Sequence, residues 1–519
     1  MKDLNLDSAL VSFDPATGER IGQAKIFTPE EVKEVVSRSR KAFLKWRTTS
    51  FEERKRLIMR AREIILAEID EIAELISKES GKPFAEAISM EIVPVLDLMQ
   101  YFARKTKKLL KPRKIQIGIF SLLGRSSKII YEPYGVIAII PAWNYPFSIP
   151  LGEATMALMA GNTVVIKPSE LTPLTGLKIG EIFQKAGADE DLVQIVTGDG
   201  ATGAALVESL PDKIMFTGSV ATGKKIAEIA ARNLTPFVLE LGGKDPMIVF
   251  KDANLDIAAS AAVWGAFCNT GQNCSSVERL YVEEEVAEKF INLVVEKTKK
   301  LKQGNGLESD VSVTVLSSEK QLSIVKSHVE AFRKEGARIL IGGNHEGLFF
   351  EPTVIVDVKN SMLPMQEETF GPTLPIATFK TEEEAIRLAN ESNFGLTASV
   401  WTSDLKKGKR VAEKIQAGTV CINEVLYTHG IAQTPWGGMK LSGQGRTHGL
   451  EGLMELVQPK HIHLNRFSIL PDIWWMPYSE TAIKTFKALA KHFASGSMLK
   501  ASLALPQIVR RLKELLANK

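Results

Sequence analysis

Between residues 135 and 241, short apolar runs alternate with amphipathic stretches, and this alternation limits the chain to one broad architecture. Residues 135–141 (GVIAIIP), 163–167 (TVVIK), 192–197, 213–217 (KIMFT) and 237–241 read as strands. Residues 149–160, a segment opened by Thr172-Pro173, and residues 222–232 read as the helices between them. Gly161-Asn162 stops the first helix, and Thr172-Pro173 starts the second as N-cap and first-turn proline. Parallel neighbours need crossover connections, so strands that take turns with helices predict a doubly wound parallel sheet. After Gly242-Gly243 the pattern restarts. Helices at 254–267 and 284–302 and strands at 279–283, 339–342, 374–379 and 398–402 predict a second α/β domain. Upstream, residues 30–47 and 51–80 have helical spacing, and residues 113–132, with Gly118 and Gly124, read as an exposed hairpin.

A chain of 519 residues has room for more than one core. The net charge of +4 points to neither a nucleic acid nor a membrane, but its distribution is uneven. Residues 480–519 hold eight Lys or Arg against two Glu, so the remainder of the chain carries −2. Three cysteines, Cys268, Cys274 and Cys421, argue against a disulfide framework and fit a reducing compartment. The opening MKDLNLDSAL lacks the apolar core of a leader, and no apolar run is long enough to span a bilayer, so the expected location is the cytoplasm. The histidines show no HxxxH pair, and His461 and His463 alternate as strand residues do. No metal site is expected.

Open α/β sheets bind ligands at the carboxyl ends of their strands, and those ends are polar here. The first strand runs into Trp143-Asn144-Tyr145-Pro146, the second into Lys167-Pro168-Ser169-Glu170 and the fourth into Thr217-Gly218-Ser219. The fifth carries Glu240, followed by Leu241, Gly242 and Gly243. The segment from Gly218 to Lys225 nearly matches the phosphate-gripping G-x-x-x-x-G-K-[ST], but Lys225 replaces the hydroxyl that would hold magnesium. At a strand-to-helix turn it still suits an anion such as a pyrophosphate, although many such turns are only tight connections. Lys167 and Glu170 are either solvated loop charges or contacts to ribose hydroxyls, and a carboxylate there favours NAD over NADP. Cys274 has polar and glycine neighbours that suit a partly exposed thiol, one that a helix terminus or cation would have to activate. Cys268 and Cys421 read as core. Glu240 is either a solvent-facing strand carboxylate or, on a water-poor wall, a general base.

Taken in order, these segments resemble the aldehyde dehydrogenase superfamily. Glu367-Glu368-Thr369-Phe370-Gly371-Pro372 and the late Gly437-Gly438…Gly443-Gln444-Gly445-Arg446 complete the likeness, which runs over roughly residues 10–465 and looks most like the fatty and aromatic aldehyde branch. The resemblance implies oxidation of an aldehyde to a carboxylic acid with NAD, or alternatively NADP. Cys274 would be the nucleophile, Asn144 and the Cys274 N–H the oxyanion donors and Glu240 the base that hydrolyses a thioester. Trp143, Lys167, Ser169, Glu170, Gly218, Ser219, Leu241, Gly242, Glu368 and Phe370 would meet the cofactor. It also implies a dinucleotide-binding domain (1–112 and 133–242), a catalytic domain (243–445) and an oligomerisation element (113–132 and 455–465) suited to a homodimer or homotetramer. Two positions depart from the family: Glu153 stands where many members have a lysine, and Thr447 where many have a glutamate. Accessory proton relays are therefore in doubt, and Glu240 is left as the obvious base.

The tail, residues 466–519, falls outside the likeness. Ile483, Phe486, Leu489, Ala490 and Phe493 recur at helical spacing between lysines. Ile508, Val509, Leu512, Leu515 and Leu516 form a second apolar face opposite Arg510, Arg511 and Lys513. With Trp474 and Trp475 ahead of them, these basic amphipathic helices suit either packing on protein or peripheral contact with an anionic membrane. Two competing functions are a phosphate-binding protein built on Gly218–Lys224 and a catalytically inactive, membrane-docked scaffold.

Overall fold

A computed structural model of the chain describes residues 9–121 and 124–517. Most of the opening decapeptide (residues 1–8), hairpin residues 122 and 123 and the side chain of Phe493 lie outside the described residues. The chain divides into two units, residues 1–106 with 133–457 and residues 107–132 with 458–519.

The larger unit holds both expected sheets. In the first, the strand order is Gly443–Gln444, Phe237–Glu240, Lys213–Thr217, Val136–Ile140, Thr163–Ile166, Val193–Ile195. All neighbours are parallel except the Gly443–Gln444 edge, which runs against Phe237–Glu240. The chain winds outward from Val136–Ile140 to Val193–Ile195 and then returns to Lys213–Thr217 on the other side. The crevice between those two central strands is therefore the point where the winding reverses, the place such sheets use for ligands. Every residue of Val136–Ile140 and Thr163–Ile166 is buried, which accounts for their unbroken apolar sequences. Gly161, with φ +102, closes helix Ser148–Ala160 in the left-handed conformation that glycine adopts without a Cβ penalty.

The second sheet orders Arg338–Ile341, Thr353–Val356, Thr373–Phe379, Val277–Glu283, Asp245–Val249, Thr397–Trp401, Thr419–Ile422. Its strand Asp245–Val249 is absent from the sequence reading, because Lys244, Asp245 and Pro246 after two glycines look like a turn. The ladder shifts register between Asp245 and Pro246, where proline has no N–H to offer, and the remaining residues are fully buried. Other differences are local. The helix expected over 51–80 breaks at Glu68 into Phe51–Ala67 and Ile69–Ser80. Gly443–Gln444, expected in the catalytic domain, crosses back to the first sheet. The N-terminal region contains an antiparallel pair, Ala9–Phe13 with Arg20–Lys25, that the sequence reading missed.

The smaller unit contains a three-stranded sheet in the order Val457–Asn465, Arg125–Pro133, Arg113–Ile115. Tail helices Glu480–Phe493 and Leu505–Ala517 pack around Ile473, Leu489, Ala504 and Ile508. Arg511 does not lie on the polar face where helical spacing put it. It is fully buried, and its guanidinium bonds to backbone carbonyls.

Candidate active site

The two sheets meet within a few residues of chain. Glu240 ends the last parallel strand of the first sheet, and Asp245 begins the central strand of the second. That strand runs parallel to Val277–Glu283, so the loop leading into Val277 comes alongside Gly242-Gly243. A Cβ on Gly243 would lie 2.2 Å from the Cys274 carbonyl oxygen, and one on Gly242 2.4 Å from the Glu368 carboxylate. The glycine pair thus lets the two sheet edges close. Cys274 comes from the approach to a strand, not from a strand's carboxyl end.

Cys274, half-buried, and Glu240, buried, line one cavity of about 370 Å³ together with Glu153, Asn273, Trp436, His429 and His448. Cys268 and Cys421 are buried, as expected. The loop carrying Cys274 is tightly held. Asn269 and Thr270 adopt positive φ of 52° and 58°. The Asn269 N–H donates to Glu86 at 2.7 Å, and its side-chain amide donates to the carbonyls of Asn144 and Gln272. The Gln272 side chain accepts from the Ser317 N–H at 2.8 Å and donates to Val315 O at 3.1 Å.

Asn144 is buried, and its Nδ2 donates to Gln272 O at 3.1 Å, which leaves a second N–H on the same nitrogen. Its backbone is set by residues the sequence reading missed. Lys82 Nζ donates to Asn144 O at 2.7 Å and to Glu91 at 2.6 Å, and sits 4.2 Å from the centre of the Tyr145 ring. Glu91 in turn accepts the N–H groups of Phe147 (2.8 Å) and Ser148 (3.0 Å) at the start of helix Ser148–Ala160. No sequence signal marks this pair, because Glu91 lies in a π-helical turn, Ala87–Ile92, far from Asn144 along the chain.

Electrostatics at the cavity run one way. Burial pushes the Glu240 carboxyl well above its ordinary range, and Glu153 pushes it further while Arg446 pulls it back. Both Glu240 oxygens are buried without a hydrogen-bond partner among the described residues. Burial raises Glu153 to about 8, and its Oε2 is likewise unpartnered. The Cys274 thiol is also pushed up, first by burial and then by Asp245, Glu368 and Glu240. Cys274 therefore rests as a thiol, in need of the activation that its sequence context left open. Burial lowers His429 to about 4, and burial together with His429 holds His448 well below its ordinary range, so both are neutral near pH 7. Neither histidine carried a sequence signal, and Thr447, beside them, lines the same cavity.

The expected cofactor residues gather at the first sheet's carboxyl edge and the facing loop. Lys167 is buried 3.5 Å from the exposed Glu170, and Ser169 is buried beside them. Ser219 caps helix Val220–Arg232 through the Thr222 N–H, and the Gly218 N–H bonds to Glu240 O at 3.0 Å. Leu241 lines the cavity. Glu368 accepts the Gly243 N–H at 2.8 Å, and burial raises it to about 8. Phe370, at φ 53°, meets Trp143 edge-on at 5.4 Å. Glu278, also missed by the sequence reading, fixes this loop by accepting the Thr369 and Phe370 N–H groups at 2.8 Å each and pairing with buried Lys244. These groups fit a dinucleotide. They offer a capped helix N-terminus for phosphates, a cationic and an acidic side chain at a strand end, and a glycine cradle that any side chain would fill.

Comparison with known proteins gives one consistent result. Residues 5–462 match the aldehyde dehydrogenase family. A 4,4'-diapolycopene aldehyde oxidase of Methylomonas sp is 38% identical over 508 residues, covering 98% of this chain and 96% of that protein. This match runs into the tail that the family match leaves out. The betaine aldehyde dehydrogenase of Staphylococcus aureus, solved in complex with NAD+, has a TM-score of 0.85 and 34% identity, covering 91% of this chain and 94% of the other. An NADP-dependent enzyme of E. coli has a TM-score of 0.84 and 34% identity, covering 89% and 96%.

The Lys82–Glu91 pair yields a stability prediction. Lys82→Met strands a buried carboxylate and should cost about 3–5 kcal/mol. Replacing both partners, as Lys82→Met with Glu91→Leu, should cost less than Lys82→Met alone. Urea unfolding of the two variants checks this, and an equal or greater loss in the double variant would contradict it.

Proposed function

From the chain's membership of the aldehyde dehydrogenase family, which makes it an NAD(P)-dependent enzyme oxidising an aldehyde to a carboxylic acid, we propose that Cys274, Glu240 and Asn144 perform the reaction on an apolar aldehyde. The observation that carries this reading is the single cavity shared by the Cys274 thiol and the Glu240 carboxyl. Cys274 gives its proton to solvent water and Sγ bonds to the aldehyde carbon, leaving the carbonyl oxygen as an oxyanion. The second N–H of Asn144 Nδ2 and the Cys274 backbone N–H, which lies against its own sulfur, receive that charge. When bound, NAD(P)+ supplies the two-electron oxidation by taking hydride from that carbon. Water deprotonated by Glu240 then attacks the thioester, the C–S bond breaks, and acid and thiol are released. Lys167, Ser169, Glu170, Gly218 and Ser219 would hold the adenosine and phosphate side of the cofactor. Trp143, Leu241, Gly242, Glu368 and Phe370 would hold the nicotinamide side. Glu170 would repel a 2′-phosphate, which favours NAD over NADP.

The cavity wall supports the apolar substrate. Met90, Val93, Ile149, Leu396, Leu426 and Trp436 line it, and among the described residues no lysine or arginine does. A substrate bearing its own carboxylate would find no cationic partner on that wall. The diapolycopene aldehyde oxidase supports the same substrate class. Among the described residues no helix is long and apolar enough to cross a membrane, and the three free cysteines fit a cytoplasmic location. Strand Val457–Asn465 lies at the edge of its sheet, and we read that edge as the contact of a homodimer or homotetramer. Light scattering should give a mass of two or four chains, and a single-chain mass would exclude this assembly.

Three activity measurements test the mechanism. Cys274→Ser should abolish NADH formation while NAD+ still binds. Glu240→Gln should keep one rapid NADH equivalent per site but slow later turnover by about 10²–10⁴-fold. Long-chain or aromatic aldehydes should exceed an aldehyde bearing a carboxylate or a quaternary ammonium in kcat/KM. Unchanged turnover in Cys274→Ser, or a preference for the carboxylate substrate, would overturn the reading.

The paired carboxyls add a pH prediction. Turnover needs Glu240 ionised, so the rate should fall as pH drops through its raised pKa. Glu153→Gln removes a like-charged neighbour, letting Glu240 ionise at lower pH, and the acid limb of kcat should move down by about one unit. A limb that stays in place would show that Glu153 does not act on Glu240.

A further inference from the structure

The smaller unit carries a surface that the reaction does not use. Ile473 is buried in the tail core, but the residues after it point outward. Trp474, Trp475, Met476 and Tyr478 are 41%, 57%, 73% and 61% exposed. Such a run of large apolar side chains in contact with water calls for a partner.

The backbone of the same segment faces the other way. Arg511, fully buried on helix Leu505–Ala517, donates to the carbonyls of Ile473 (3.3 Å), Trp475 (2.5 Å) and Pro477 (2.7 Å), and pairs with Glu514 at 3.1 Å. From the other side, Asp472 O accepts the Trp475 N–H at 2.9 Å and Asp472 Oδ1 accepts the Trp474 N–H at 3.4 Å. Trp474 is steadied by stacking on Phe486 at 5.3 Å. The loop therefore ties alternate carbonyls and the N–H groups of Trp474 and Trp475 within the protein and leaves its apolar side chains exposed. In water that backbone could be solvated freely, whereas in hydrocarbon every carbonyl and N–H must find a partner within the protein.

Charge indicates which apolar medium. On the tail helices and their connection, Lys484, Lys487, Lys491, Lys500, Arg510 and Lys513 are exposed, as are Leu499, Leu503 and Leu505. A second copy of this surface would set lysines against lysines across a twofold axis. An anionic lipid surface complements them, and tryptophan and tyrosine favour the interfacial depth.

We propose that Trp474–Tyr478, braced from behind by Arg511, inserts into the interfacial layer of an anionic lipid bilayer while the tail lysines contact its headgroups. This assignment is independent of the active-site reading.

Sedimentation of the full chain with vesicles tests it. The protein should bind mixed phosphatidylcholine–phosphatidylglycerol vesicles, release at high salt, and bind pure phosphatidylcholine far more weakly. Trp475→Ser with Met476→Ser should weaken binding by about tenfold or more and leave turnover of a water-soluble aldehyde unchanged. Brominated acyl chains should quench tryptophan fluorescence in the full chain and quench it less in Trp475→Ser. The proposal is overturned if the full chain ignores anionic vesicles. It is equally overturned if the double variant binds them as tightly, or if that variant loses only self-association, which would identify a second copy as the occupant. Since turnover of the soluble aldehyde is read separately, failure here is distinguishable from failure of the dehydrogenase reading.

Discussion

The close approach of the Gly242-Gly243 backbone to the Cys274 loop is the constraint on which the rest of the site depends. With Gly243 a Cβ's width from the Cys274 carbonyl, the last strand of one sheet and the loop entering another strand share a wall. Everything reactive follows from that closure. Glu240 arrives from one sheet, Cys274 from the other, and Asn144 from the carboxyl end of the first sheet's founding strand. Buried ion pairs then remove the remaining freedom. Lys82 and Glu91 fix the backbone around Asn144, and Lys244 and Glu278 fix the loop carrying Glu368 and Phe370. Such pairs contribute little net stability, but they hold one geometry, because any other would leave a charge buried and alone.

Buried carboxyls set the resting state of the site. With Asp245, Glu153, Glu240 and Glu368 all pushed up by burial, the free protein holds protons that chemistry must later move. The Cys274 thiol is pushed up as well, first by burial. Desolvation of this kind keeps a thiol protonated, which protects it from idle oxidation, and it strengthens any hydrogen bond made inside the site. Glu153 gives the pocket a second buried carboxyl beside Glu240.

Much of the fold was legible because burial on both faces leaves an unbroken apolar run. Val136–Ile140, Thr163–Ile166 and Lys213–Thr217 were all readable this way. Asp245–Val249 was not, although it is equally buried, because its opening lysine, aspartate and proline carry the local signature of a turn, and only pairing on both sides makes it a strand. Arg511 shows the same limit. Spacing put it on a polar face, but the carbonyls of a distant loop pull it into the interior.

Taken alone, the sequence determined the alternating architecture and the basic character of the tail, and its resemblance to the aldehyde dehydrogenase superfamily, carried by motifs in order along the chain, singled out the candidate nucleophile, base and oxyanion donor. These depend on local composition and order along the chain, which a reader of residues can see. Tertiary structure alone decided that Cys274 and Glu240 face one cavity and that Glu153, His429 and His448 join them. It also decided that Lys82, Glu91 and Glu278 hold the loops, and that Arg511 turns an aromatic loop outward. Each of these depends on the distance between groups far apart in the chain, and only packing sets that distance.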